Sequence, residues 1–190
     1  MEIGKYIHIM NVLEAMKRNT RHSWLSDGRH ESVAEHSWRL CVMAYFVRDE
    51  FPEIDADRLI LMCLFHDVGE AFTGDIPAFL KTDGDEVVEK NAVEKFLGSL
   101  DSPYKEELLE LFAEMNALET PEAKLYKALD KMETLIQHNE ADISTWLPLE
   151  YKENLVYGEK EAAFSEFTEA LRLEINRMSL EKMRDAGDIS

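Results

Sequence analysis

The sequence predicts an all-α fold, and three observations carry that prediction. Apolar residues recur at helical spacing in one segment after another, as in Ile9, Val12, Leu13 and Met16. Capping residues and prolines stand where helices would begin, as at Thr120-Pro121. No internal repeat, low-complexity tract or long linker divides the 190 residues, so one helical domain over 1–190 is expected.

Taken in order, the first helix runs from Tyr6 to Lys17. Asn19 to His30 is polar and carries the turn signal Asp27-Gly28, which places Arg21, His22 and Trp24 on a loop. Loops on a rigid scaffold are where binding groups tend to lie. Ser32-Val33-Ala34-Glu35 fits a capping box, which gives Glu35 a structural task. The helix it opens runs to about Phe51, before Pro52, with Val33, His36, Leu40, Met43 and Val47 on one stripe. His36 therefore points inward. That position suits a hydrogen-bonded core histidine, unless a second ligand group waits nearby.

Asp55 can cap a third helix, whose apolar run Leu59 to Phe65 ends at His66 and Asp67. If the helix continues through Gly69, Asp67 and Glu70 lie one turn apart. If Gly69 terminates it, Glu70 stands on a loop. The chain then turns at Thr73-Gly74-Asp75, and Ile76 before Pro77 is expected to be extended. Asp83-Gly84 reads as a turn before a helix over Glu86 to Leu97. Ser102-Pro103 and Thr120-Pro121 open helices of about Pro103 to Met115 and Pro121 to Gln137. In the latter, Leu125, Leu129, Met132 and Ile136 form the core stripe. Asp130 falls off that stripe at about 100° per residue, so periodicity reads it as solvated or flanking. After Pro148 and Gly158, a last helix carries Phe164, Phe167, Leu171, Ile175 and Met178 on one face, closing a C-terminal extension over 148–183.

Composition limits the functions open to such a fold. The net charge of -18, from 39 acidic and 21 basic residues, opposes a surface that gathers nucleic acid or anionic lipid. The longest apolar runs fall far short of the roughly 20 residues a membrane span needs. Cys41 and Cys63 both sit in apolar runs, where a free cysteine acts as a small core residue, and no disulfide framework is implied. A cytoplasmic protein is the expectation. Any anionic substrate must be small and held locally, by a metal ion and one or two arginines.

His66-Asp67-Val68-Gly69-Glu70 through Gly74-Asp75-Ile76-Pro77 gathers one imidazole and three carboxylates directly after an apolar segment. Charged groups there must be solvated, paired or metal-bound, because burying a lone charge is costly. Two imidazoles and two carboxylates, from His36, His66, Asp67 and Asp130, would make a mixed nitrogen and oxygen site. Such a site suits one divalent transition ion, whether Mn, Co, Fe, Ni or Zn. An ion held this way polarises a phosphoryl oxygen and lowers the pKa of its bound water, which is hydrolytic chemistry.

The order of these pieces resembles the HD superfamily of metal-dependent phosphohydrolases: a histidine, then an adjacent His-Asp pair, then a distant aspartate. Within it the chain looks most like the YfbR-type bacterial 5'-deoxynucleotidases and their eukaryotic relatives. The matching pieces are Arg21-His22-Ser23-Trp24, Glu31-Ser32-Val33-Ala34-Glu35-His36, His66-Asp67-Val68-Gly69-Glu70 with Gly74-Asp75-Ile76-Pro77, and Lys127-Ala128-Leu129-Asp130. They span the motif core 21–130 of a helical HD-domain bundle. The resemblance implies that His36, His66, Asp67 and Asp130 are the metal ligands and that Glu70 positions or deprotonates the attacking water. It implies that Arg21 orients the phosphate and that Trp24 packs near sugar or base. Asp75, Ile76, Pro77 and Ala78 would contact the nucleoside. A small nucleotide substrate and a homodimer are implied as well.

One departure stands out. In the bacterial enzymes a tryptophan directly follows the phosphate arginine, whereas here His22 follows Arg21 and the tryptophan comes at Trp24. The expected activity is removal of phosphate from nucleoside 5'-monophosphates, deoxyribonucleotides foremost. Relatives acting on nucleoside triphosphates or alarmones are the nearest alternative, and no added domain of the kind that marks them is present. A non-catalytic metal or nucleotide sensor would keep the ligands but have no use for Glu70, and a metal-free interaction module would need neither.

Overall fold

Helices build the molecule, with one small exception near the N-terminus. The computed structural model describes residues 1–77 and 79–187. Helices α1 (Ile3–Leu13) and α2 (Ala15–Arg18) lead into a two-stranded antiparallel hairpin, β1 (Thr20–Trp24) and β2 (His30–Ser32). The stretch expected to be a loop is therefore partly strand. Its pairing is irregular: Thr20 faces Ser32 and Trp24 faces His30, so four steps on β1 oppose two on β2. Such a bulge re-aims side chains that would otherwise alternate between faces.

Helix α3 (Val33–Val47) opens on the expected capping box, in which Ser32 Oγ accepts from the Glu35 amide while Glu35 accepts from the Ser32 amide. It ends earlier than expected, in a short 3-10 turn over Arg48–Glu50. Helix α4 (Ala56–Phe65) starts at Asp55, whose carboxylate accepts from the Arg58 amide. The two continuations weighed for Gly69 are replaced by a third. Tight turns follow Phe65, and Gly69 caps a new helix, α5 (Glu70–Thr73), with φ -57°. Glycine is needed here for space: a Cβ would stand 2.6 Å from Glu89 Cγ and 2.9 Å from Val93 Cγ2. Gly74, at φ 75°, then takes a backbone conformation that side chains disfavour and sends the chain toward Asp75.

Helix α6 (Asp83–Gly98) begins sooner than expected, because Thr82 and Asp85 form a second capping box and absorb Asp83-Gly84 into the first turn. Helix α7 (Tyr104–Ala117) follows Pro103 without a side-chain cap; the Ser102 hydroxyl instead donates to Glu106. Helix α8 (Pro121–Glu140) starts as expected, with Thr120 accepting from the Ala123 amide and Pro121 in the first turn. The C-terminal part holds α9 (Glu150–Val156), α10 (Glu159–Ala162) and α11 (Glu166–Asp185).

The core lies where α3, α4 and α8 meet. Leu40, Ala44, Leu59, Met62, Cys63, Leu125 and Leu129 are fully buried there. Each leucine and the methionine among them contributes about 1.5–3 kcal/mol relative to exposure. Ile175 of α11 packs on Ala128, Met132 and Leu135 along another side of α8. A further cluster under α6 joins Val68, Val93, Phe96 and Leu97 to Ile9 of α1. These contacts hold the end of α4 and the middle of α8 side by side, and the functional groups collect at that junction.

Candidate metal centre and substrate cleft

His36 in the first turn of α3, His66 and Asp67 just past α4, and Asp130 in α8 converge at the core's edge. His36 Nε2 lies 3.2 Å from His66 Nε2, 3.2 Å from Asp130 Oδ1 and 3.8 Å from Asp67 Oδ2. His66 Nε2 lies 3.0 Å from Asp67 Oδ2 and 3.6 Å from Asp130 Oδ1. Donors bound about 2.0–2.2 Å from one ion sit about 3 Å apart when they subtend a right angle, so the separations among His36, His66 and Asp67 suit a single cation, with Asp130 beside the two histidines.

The protonation pattern supports the same fit. His66 Nδ1 donates to the Cys63 carbonyl at 2.9 Å, which in the neutral ring leaves Nε2 as a lone pair. His36 Nδ1 is held by the buried Glu133 carboxylate, whose other oxygen accepts from Arg39 Nε at 2.6 Å. The two imidazole nitrogens and the Asp67 carboxylate thus gather at one place, with the Asp130 carboxylate against the histidines, and a positive species is needed among them. Burial opposes charge on Asp67, but His66 and Arg21 outweigh it and hold the carboxyl below the ordinary range. Asp130 is held low likewise, against burial, by Lys127, whose Nζ is 2.8 Å away, and by the two histidines. Without a metal, a proton serves: burial and Arg21 pull His36 down, yet Glu133 and Asp130 carry it up to about 10. A divalent ion would displace that proton.

The cluster opens onto a cleft. Arg21, His22, Glu70, Asp75, Ile76 and Pro77 line one side, and Asp130, Thr134 and His138 of α8 line the other. The β1 bulge turns both Arg21 and His22 toward it. Arg21 Nη1 donates to Asp67 at 3.1 Å and Nη2 to Thr134 at 3.1 Å, with Nε 3.4 Å from the buried Glu31. Its guanidinium is sunk among carboxylates: burial works against the charge, but Asp67, Glu133, Glu70 and Glu31 keep its pKa above the usual arginine value. Glu31 itself is pushed up to about 7 by burial and by Glu133.

Glu70 is buried, and its Oε2 has no hydrogen-bond partner among the described residues. Burial pushes its carboxyl up to about 9, with Asp67 and Asp75 adding to the effect. The Glu70 amide donates to the Asp67 carbonyl at 2.9 Å, so the two side chains share one tight turn. Asp75 accepts from the His22 amide at 3.2 Å, tying its loop to β1. Ala78, expected at the nucleoside, lies outside the described residues.

Trp24, expected near sugar or base, is not among the described residues lining the cleft. Its ring lies against His30, with centroids 3.9 Å apart. His22, the residue at the point of departure from the bacterial pattern, faces the cleft instead, edge-on to Phe79. Several contributors escaped sequence reasoning. Glu133 backs His36, Thr134 holds Arg21, and Glu150 and Asn154 of α9 close the far wall. Glu133 and Thr134 follow Asp130 by one helical turn, a spacing that flags partners once Asp130 is suspected.

Comparison with known proteins bears on this arrangement. A family model described as HD domain matches residues 13–172. The 5'-deoxynucleotidase HDDC2 of Danio rerio is 32% identical over 138 residues, covering 70% of this chain and 68% of its own length. The 5'-deoxynucleotidase YfbR of Salmonella paratyphi B is 28% identical over 138 residues, covering 67% and 69%. A solved structure from Magnetospirillum magnetotacticum, described as a predicted metal-dependent phosphohydrolase, superposes with a TM-score of 0.79 at 25% identity, over 94% of this chain and 92% of that one.

Proposed function

The chain belongs to the HD-domain family, and from that premise we propose that it hydrolyses nucleoside 5'-monophosphates to nucleoside and phosphate, preferring deoxyribonucleotides. The observation that carries this reading is a cluster of metal-type donors that meets, through Asp67 and Asp130, a cleft lined also by the half-buried Arg21 and by the buried carboxylate of Glu70. Two groups of similar proteins named 5'-deoxynucleotidases support it.

In this reading His36, His66, Asp67 and Asp130 hold one divalent ion, and Mn, Co, Fe, Ni and Zn all suit the donor set. The ion supplies Lewis-acid polarisation and acidifies water. Arg21 presents its fork to the phosphate and, being pinned by Asp67 and Thr134, holds the phosphorus in line with the attacking water. Glu70, ionised by the neighbouring cation, would take the attacking water's proton as the water oxygen bonds to phosphorus and the bond from phosphorus to O5' breaks, and that proton ends on the O5' leaving oxygen. Asp75, fixed by the His22 amide, accepts from the sugar 3'-hydroxyl with its remaining oxygen, and a 2'-hydroxyl there crowds the loop or stays poorly paired. An unpaired buried group costs about 1–3 kcal/mol, which is roughly ten- to hundredfold in rate.

The cleft wall formed by α9 supports one domain in which the extension over 148–183 completes the site of the core over 21–130. A homodimer is supported by α3 and α4, which leave Trp38, Phe46, Leu61 and Leu64 in solvent. Light scattering measures that mass directly. No helix among the described residues is long and apolar enough to cross a membrane, and Cys41 and Cys63 are free thiols, as suits a reducing cytoplasm.

Phosphate release from matched deoxy- and ribonucleoside 5'-monophosphates tests the reading. We expect dAMP to exceed AMP, 3'-monophosphates to be poor substrates, and Asp75→Asn to narrow the sugar preference. Equal rates on both sugars in the parent contradict the deoxy preference, and no release from any nucleotide contradicts the activity.

A further inference from the structure

At the end of the cleft away from the metal donors, α9 lays Glu150 and Asn154 one turn apart against His138 of α8 and His22 of β1. Asn154 is only 3% exposed although it lines the cleft. Its Oδ1 accepts from His138 Nδ1 at 3.1 Å, whereas its Nδ2 finds no acceptor among the described residues. Glu150 has both oxygens engaged, Oε1 at 3.1 Å from His22 Nε2 and Oε2 accepting from the Leu147 amide at 2.6 Å. The Asn154 amide thus holds an unused donor in this part of the wall. A buried donor without a partner is costly, and it points to a ligand that completes it.

The position of Asn154 is fixed from behind. Arg172 of α11, itself buried, donates Nε to the Tyr157 carbonyl at 2.8 Å and Nη2 to the Asn154 carbonyl at 3.1 Å, pinning the last turn of α9. The reach also fits a nucleotide. Asp130, Thr134 and His138 line the same cleft at successive turns of α8, a span of about 12 Å at 1.5 Å per residue. A ligand with its phosphate at Arg21 passes Thr134 and brings its far end to His138 and Asn154, with Ile76, Phe79 and Leu149 as apolar surface for a ring.

Resting on the reading that nucleoside monophosphates are the substrates, we propose that Asn154 determines base specificity by donating through Nδ2 to a ring carbonyl of the nucleobase. A base with an amino group at the same position turns a donor against a donor. The site thus favours oxo bases over their amino counterparts.

The test is kcat/KM for phosphate release by the metal-loaded full-length chain on two matched pairs, dIMP with dAMP and dUMP with dCMP. Deoxyribose 5-phosphate, which has no base, serves as the reference. The oxo member of each pair is expected to lead by about tenfold. Asn154→Asp keeps an oxygen for His138 and exchanges the free donor for an acceptor, so both ratios should fall below one. Asn154→Leu should bring both ratios close to one and lower the advantage of nucleotides over deoxyribose 5-phosphate, with melting temperature reporting that each variant is folded. Equal rates within both pairs in the parent overturn the inference while the phosphohydrolase reading stands. So does an oxo preference kept by folded Asn154→Asp. No phosphate release from any of the five compounds overturns the phosphohydrolase reading and this inference together.

Discussion

Glu70 carries the proposed proton transfer, and its environment sharpens what a substitution should do. Burial beside Asp67 and Asp75 disfavours its charged form, and a cation in the adjoining cluster opposes that, so ion and base are coupled. Glu70→Gln keeps the shape and removes the proton acceptor, so kcat should fall by about two or more orders of magnitude. Metal content, read by emission spectroscopy, should stay at the parent level; unchanged turnover would remove Glu70 from the mechanism. Glu133→Gln should act on the ion instead, because His36 loses the carboxylate that orients it. Metal affinity should drop about 10–100-fold in chelator competition, and an unchanged affinity would leave Glu133 serving only Arg39. Of these residues, His66 and Asp67 were conspicuous in the sequence. Asp130 was not, because α8 is buried on several sides, at Ala128, Leu129, Met132, Glu133 and Leu135. A helix wrapped by core has no single stripe for periodicity to find.

Elements were legible where local chemistry decides them. Ser32 with Glu35, Asp55, and Thr120 before Pro121 all cap the helices they were expected to cap, because one side chain and one amide suffice. The β1–β2 hairpin was hidden, since its turn is long and its pairing bulged, leaving neither alternation nor a two-residue turn to read. Gly69 stayed open between two continuations for a related reason: its role is set by α6, which passes close to it, and not by its own conformation. Gly69→Ala should therefore destabilise the fold by about 1–3 kcal/mol and displace Glu70, lowering kcat beyond what the stability loss explains. A variant with parental melting and kinetics would refute that close approach. Ser32→Ala tests the neighbouring helix start. It should cost about 1 kcal/mol in denaturant unfolding, and no change would mean the Ser32 cap adds nothing to α3.

At the scale of the molecule, the four donors come from three helical regions that share one core, so an ion among them ties α3, the end of α4 and α8 together. Binding to the native state alone stabilises it by about 2.7 kcal/mol at a ligand concentration of 100 Kd. Chelation should accordingly lower the melting temperature of the parent and leave His66→Ala unmoved. The charge of -18 makes this local cation matter more, because the surrounding field repels a phosphate dianion. The most direct measurement is the rate of phosphate release from dAMP while a divalent metal is titrated into chelator-stripped protein. The rate should rise from near zero, level off at one ion per chain, and stay flat throughout for His66→Ala. Full activity in the stripped protein, or none at any metal loading, would contradict the account.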